Sequence, residues 1–348
     1  MAETQTDARA ATKDAKGLER VVRGVDRFQQ RHQPLAVAFA VVKKFGDDRG
    51  SALAALFAYY GFLGLFPLLL LLVTILGVVL RHNPSLQARV LHSALSEFPI
   101  IGDQLGQNIH SLEGRGAGLI FGGVGLVWGS LGIAQVGQYA MAQVWNVKGV
   151  DRPGFVPRLG RSICLLAALG VGIGLSTALA GGGGGTSSPA PLRVAALAGS
   201  VVVNVALFVA AFRILTPKQI ATRPLLPGAA ASGVVWSALQ GLGGYLVAHN
   251  LRHASQVYGF FGIVLGLLSF LSLAATLTLY AAEANVVWSR RLWPRSIVQP
   301  PLTAGDKRVL SDIAAQEERR PEQEVDVRYD DDPPGAGTTA AGDEKLAR

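Results

Sequence analysis

The chain is written in long apolar blocks separated by short polar ones. They run from 57 to 77 (FAYYGFLGLFPLLLLLVTILG) and then over roughly 117–144, 163–180, 194–215, 228–248 and 259–288. About 20 residues at a rise of ~1.5 Å each cross a hydrocarbon core of ~30 Å, so the pattern predicts six transmembrane helices surrounded by lipid. Six crossings return the chain to the side on which it began. The predicted fold is an all-α membrane protein with an N-terminal amphipathic surface helix and a disordered C-terminal tail. The domains expected are 1–50, a six-helix segment 51–295 and an acidic tail 296–348.

Ahead of the first block, Leu18, Val21, Val22, Val25 and Phe28 recur at spacings of three and four, the period of one helical face. Arg20, Arg23, Arg27 and Arg31 decorate the rest, and PLAVAFAVVKKF (34–45) is apolar but too short to cross a membrane. Two readings of 17–45 fit. It lies on the lipid surface with its basic residues near anionic headgroups, or it caps the bundle. Between the first two spans, 81–116 has partly helical spacing and reads as a lid. The last residues, DDDPPGAGTTAAGDEKLAR, carry too little apolar surface to order.

Composition agrees with lipid burial. Half of the 348 residues are hydrophobic and 16% are charged, where a soluble domain carries about 25%. Lys and Arg then set the orientation, because they stay cytoplasmic. With six spans, 27 of them fall on the side of the termini and five (Arg81, Arg89, Arg115, Arg193, Arg252) on the other. Both termini of the multi-pass chain are therefore expected in the cytoplasm. The net charge of +8 follows from that topology, so no nucleic-acid partner is expected. A polar stretch of about 50 residues precedes the first span, which is expected to act as an uncleaved insertion signal. The single cysteine, Cys164, excludes an intramolecular disulfide and a cysteine-based metal site.

Candidate chemistry is sparse. Pro67 lacks an N–H and crowds the carbonyl of Leu63, which predicts a kink that serves as a hinge or as a packing feature. Gly61 and Gly64 leave room beside it. Gly118/Gly122 and Gly125/Gly129 are G-x-x-x-G pairs suited to close helix contact. Gln135, Gln138, Tyr139 and Gln143 share a face of the second span, either lining a polar path or bonding to neighbouring helices. Glu283 is the one acid of 24 inside a predicted span. Arg213 is its candidate ion-pair partner, and Glu283 serves function or structure. His249 and His253 are spaced i, i+4 without a nearby acid or cysteine, so no metal site is expected. HExxH, Walker and paired-carboxylate motifs are missing, and neither enzymatic activity nor a cofactor is expected.

Several motifs resemble a known family in order along 41–288. They are KKFGDD, the run ALAALFAYYGFLGLFPLLLLLVTILG, WNV after the second span, ILTP with LLPGA, and YGFFGIVLGLLSF with AAEANVV. The chain resembles the YihY/virulence factor BrkB family, once labelled ribonuclease BN. The resemblance implies a bacterial inner-membrane protein with six spans, for which transport, including lipid transport, has been suggested. The family pattern falls on Tyr59, Tyr60, Phe66, Pro67, Leu68 and Leu69 in the first span. A Pro-Gly-Ala turn falls on Pro227, Gly228 and Ala229, and Tyr258-Gly259 opens the last span. Its ending falls on Ala282, Glu283 and Asn285, with Ala281 where glycine is usual. The expected role is transport of an amphipathic or lipid-like substrate. The alternatives are a non-transporting scaffold for the envelope and, behind it, a membrane enzyme.

Overall fold

The structure is a computed structural model that describes residues 20–79, 117–183, 189–246 and 252–329. Among them every regular element is helical. Residues 20–31 form α1, followed by α2 (Gln33–Asp47), α3 (Gly50–Val79), α4 (Ala117–Val144), α5 (Phe155–Gly183), α6 (Ala190–Leu215), α7 (Leu226–Leu246), α8 (Arg252–Arg290) and α9 (Ala304–Ala315). Four stretches among the described residues are long and apolar enough to cross a membrane: Phe155–Gly172, Ala190–Leu215, Arg223–Leu242 and Val264–Arg290. The lid expected over 81–116 lies outside the described residues, as do His82, His92, His110 and His249. So do the side-chain contacts of the paired glycines at 118–129, although their backbone is helical in α4.

The chain divides into two compact units, neither of which is a continuous segment. Among the described residues, one gathers 20–48, Val144–Asp151 and 283–329. The other holds the described residues of 49–143 and 152–282. The division falls within α8, 39 residues and about 58 Å long, whose last turns belong to the first unit.

The second unit is built by close helix approach. Trp236 of α7 stands between Phe208 of α6 and Phe270 of α8, with ring centroids 6.4 and 5.9 Å away. A Cβ on Gly233 would lie 2.6 Å from the Val205 Cα, so α6 and α7 meet there backbone to backbone. Asn204 ties the same pair together by donating to Ser237 Oγ (2.9 Å) and Gln240 Oε1 (3.2 Å). In lipid, small residues and buried amides are what hold helices together, because apolar surface alone distinguishes no partner.

The first unit is held by charge. Thr303 and Asp306 form a reciprocal capping box that starts α9. The Asp306 carboxylate is fully buried and also accepts from Lys43 Nζ (2.8 Å), Arg295 Nε (2.9 Å) and Ser296 N (3.0 Å). Burial raises its pKa, but the hydrogen bonds from Lys43, Ser296 and Thr303 outweigh burial and hold it well below the usual carboxylate range. Gly149 N donates to Gln316 O (3.1 Å) and Val150 N to Glu318 O (2.8 Å), which fastens the α4–α5 loop to the end of α9. The expected disordered tail is thus corrected over 296–329. Its apolar residues are few, but buried ionic and capping bonds order it. The remainder of the tail lies outside the described residues.

α1 inverts the usual amphipathic arrangement. Asp26 and Gln29 are its buried residues, with Asp26 Oδ1 accepting from Ile297 N (3.0 Å) and Gln29 donating to Arg295 O (2.6 Å). Val21, Val25 and Phe28 are 64%, 54% and 56% exposed. At about 100° per residue, the third face carries Arg20, Arg27 and Arg31.

Candidate functional site

Lys44 closes the last turn of α2, and Arg49, in the left-handed region at φ 55°, turns the chain away just after it. Asp48 lies one turn beyond Lys44, at the i, i+4 spacing that brings side chains together. Glu283 reaches the same point from α8. Lys44 Nζ pairs with Asp48 Oδ2, lies 3.1 Å from Glu283 Oε2, and donates to Val144 O at 2.8 Å. All three charged side chains are at most 1% accessible. Beyond these contacts Asp48 Oδ1 and the Glu283 oxygens meet no well-formed hydrogen bond. One ammonium thus faces two carboxylates, which leaves one surplus negative charge in a buried place when both are ionised. Such a site has the chemistry to take up a proton or a small cation.

Arg213 is not the partner that Glu283 has. It sits at the C-terminal end of α6, where a cation complements the helix dipole, and its Nη1 donates to Ile220 O at 2.8 Å. The helical end takes up this guanidinium, and Lys44 takes the place expected of it. Asn285, two residues beyond Glu283 on α8, is buried.

A groove of about 600 Å³ lies in the second unit between α3 and α8. Ala55, Ala58 and Tyr59 form its α3 wall, and Leu265, Leu268 and Leu273 its apolar α8 wall. Ser269, Ser272 and Thr276 add a line of hydroxyls at i, i+3 and i+7. Tyr59 is half exposed, and its ring meets that of Tyr60 edge to face, with centroids 5.3 Å apart. Tyr60 packs so closely over Gly132 of α4 that a Cβ there would fall 2.3 Å from its ring.

A family model described as Virulence factor BrkB matches residues 41–301. The chain belongs to the virulence factor BrkB family. No curated protein and no solved structure matches it at a significant level. The BrkB match spans Lys44, Asp48, Glu283 and both walls of the groove. Of the motif positions, Tyr59 and Tyr60 are placed as above. α3 runs unbroken through Phe66 and Pro67, whose side chains are outside the described residues. Pro227 and Gly228 open α7 and form no separate turn, because proline is tolerated in the first turn of a helix, where its missing N–H has no partner to lose. Tyr258 and Gly259 lie inside α8, which begins at Arg252.

The amides of α4 do not share one environment. Gln138 is buried and donates to Arg158 O (3.1 Å) and Ser162 Oγ (3.2 Å). Gln135 is exposed, as is half of Tyr139. Gln143 accepts from Arg152 (3.4 Å), whose guanidinium lies 5.4 Å from the Tyr139 ring centre. Helix-to-helix bonding, not a common polar path, accounts for Gln138. No group of three or more metal-ligating side chains occurs among the described residues. Lys44 and Asp48 lie in the KKFGDD motif, which by itself gives neither a role in the site. The available signal was a lysine at the end of an apolar run with an aspartate four residues on.

Proposed function

We propose that this multi-pass membrane protein moves an amphipathic substrate along the groove between α3 and α8. The groove carries the reading, because it sets a line of hydroxyls (Ser269, Ser272, Thr276) against an apolar wall. A substrate with a hydrocarbon part and a polar part is matched by that pairing. On this reading α3 and α4 cross the membrane as well, for a total of six spans. Their lengths of 30 and 28 residues and their lack of any charged residue support this. No reaction is assigned to the chain, and the Lys44–Asp48–Glu283 cluster supplies a place for ion coupling.

The inner-membrane location and cytoplasmic termini are part of the proposal. The 27-to-5 basic bias supports them. So does the gathering of three segments assigned to one side, the N-terminal residues, the α4–α5 loop and the C-terminal residues, into one compact unit. Single cysteines in a Cys164→Ser background test the orientation. An impermeant reagent on intact cells is expected to label Ser93→Cys but not Thr6→Cys or Thr338→Cys, and the reverse pattern rejects it.

Transport is tested in vesicles reconstituted with the purified chain and fluorescent phospholipid or long-chain amphiphile. Ser272→Leu and Ala58→Trp are expected to lower the rate of leaflet exchange or flux at unchanged protein content. Wild-type vesicles indistinguishable from empty ones would favour the scaffold.

A further inference from the structure

The second unit has an unbalanced basic end. Residues 117–143 and 152–282 contain no aspartate or glutamate, yet they include Arg152, Arg158, Arg161, Arg213, Lys218 and Arg223. Two of these meet between α5 and α6. Gly172 of α5 packs on Leu207 of α6, a contact that a Cβ on Gly172 would bring to 2.3 Å. The two helices run in opposite directions across a short connection, so eight residues back from Gly172, at Cys164, is level with Leu215, the last residue of α6, and Arg161 lies about one turn further on. That register puts Arg161 at the level where the chain leaves α6 and where Arg213 folds back to reach Ile220 O. Gln138 fixes this level from α4 through Ser162 and Arg158, and Gly137 packs on Leu215.

Arg213 has Ile220 O as an acceptor, but two of the groups at this level have none. Arg161 Nη1 is shielded from solvent and has no hydrogen-bond partner. The charge that bears on Arg161 is a second cation, Arg213. Thr216 is 1% exposed, and its hydroxyl has no partner either. Two forked guanidinium groups and a hydroxyl, with no carboxylate in the same unit's described residues, form a donor set for a tetrahedral oxyanion. Basic pockets between membrane helices take lipid headgroups in this way.

We propose that Arg161, Arg213 and Thr216 form a binding site for a phosphate or phosphodiester group between α5 and α6. The site is separate from the groove and does not require that the chain transport anything. A lipid headgroup and free phosphate share the chemistry, and the probes separate them.

The test uses the full chain, purified in detergent and stripped of lipid, with the thermal midpoint followed against added phosphatidylglycerol, inorganic phosphate or diacylglycerol. Phosphatidylglycerol is expected to raise the wild-type midpoint saturably. Arg161→Gln and Arg213→Gln are each expected to weaken half-saturation by about tenfold, the effect of losing one charge-assisted hydrogen bond. Arg319→Gln, on an exposed side chain of the other unit, is expected to leave it unchanged. A matching shift with inorganic phosphate assigns the site to free phosphate, and none assigns it to a headgroup. An equal shift with diacylglycerol, or wild-type half-saturation in the arginine variants, overturns the proposal. Should Arg161→Gln fail to accumulate folded, Thr216→Val decides. It removes the hydroxyl donor with little change in volume, and unchanged half-saturation rejects the site.

Discussion

Replacing Lys44 is expected to cost far more than neutralising Glu283, although the two are partners. At the observed 3.1 Å and an effective dielectric constant of about 20, their attraction is about 5 kcal/mol before desolvation is counted. The net loss from stranding one member of a buried pair is about 3–5 kcal/mol. Lys44→Met keeps most of the volume but strands two carboxylates and removes the donor to Val144 O. The unsatisfied carbonyl adds about 1–3 kcal/mol when it stays dry. Glu283→Gln removes the surplus charge and leaves Lys44 paired one-to-one with Asp48, so its cost should stay below about 1.5 kcal/mol, in the range of a single hydrogen bond. Denaturant unfolding of the three proteins in matched lipid–detergent micelles reads the difference. The double variant Lys44→Met/Glu283→Gln should recover part of the Lys44→Met loss, as contact between the two requires. Equal destabilisation by the two single variants would refute the reasoning, because it would mean that the second carboxylate is not in excess. A Lys44→Met protein within about 1 kcal/mol of wild type would refute the buried ion pair itself.

Two further outcomes follow from the first unit. The carboxyl of Asp306 is held below its ordinary pKa, so its contribution to stability is present above the unfolded value of about 3.9 and is lost as pH falls toward the folded value; Asp306→Asn should flatten the acid limb of a stability–pH profile, and an unchanged limb would assign acid loss to other groups. The exposed Val21, Val25 and Phe28 beside Arg20, Arg27 and Arg31 should bind anionic vesicles when a 17–45 peptide is presented to them, with salt weakening the binding and Phe28→Glu reducing it; a peptide equally indifferent to anionic and neutral vesicles at low salt would leave that face to another partner.

Hydropathy alone determined that this is a helical membrane protein, because only a helix satisfies its own backbone bonds in lipid and the apolar blocks have the length to cross. The family was legible too, since its motifs lie in local runs such as FAYYGFLGLFPLL and AAEAN. Periodicity also showed that Val21, Val25 and Phe28 share a face. It did not show that this face is exposed while Asp26 and Gln29 are buried. The bilayer is as apolar as a helix interior, so an apolar stripe does not say whether lipid or protein covers it. The ion pairs were still less accessible. Glu283 was marked by its acid in an apolar run, but its counter-ion is distant in sequence and only the packing of α2 against α8 selects Lys44 over Arg213. The order of 296–329 likewise rests on Asp306 meeting Lys43 and Arg295, three charges that composition counts as solvated until tertiary structure buries them together.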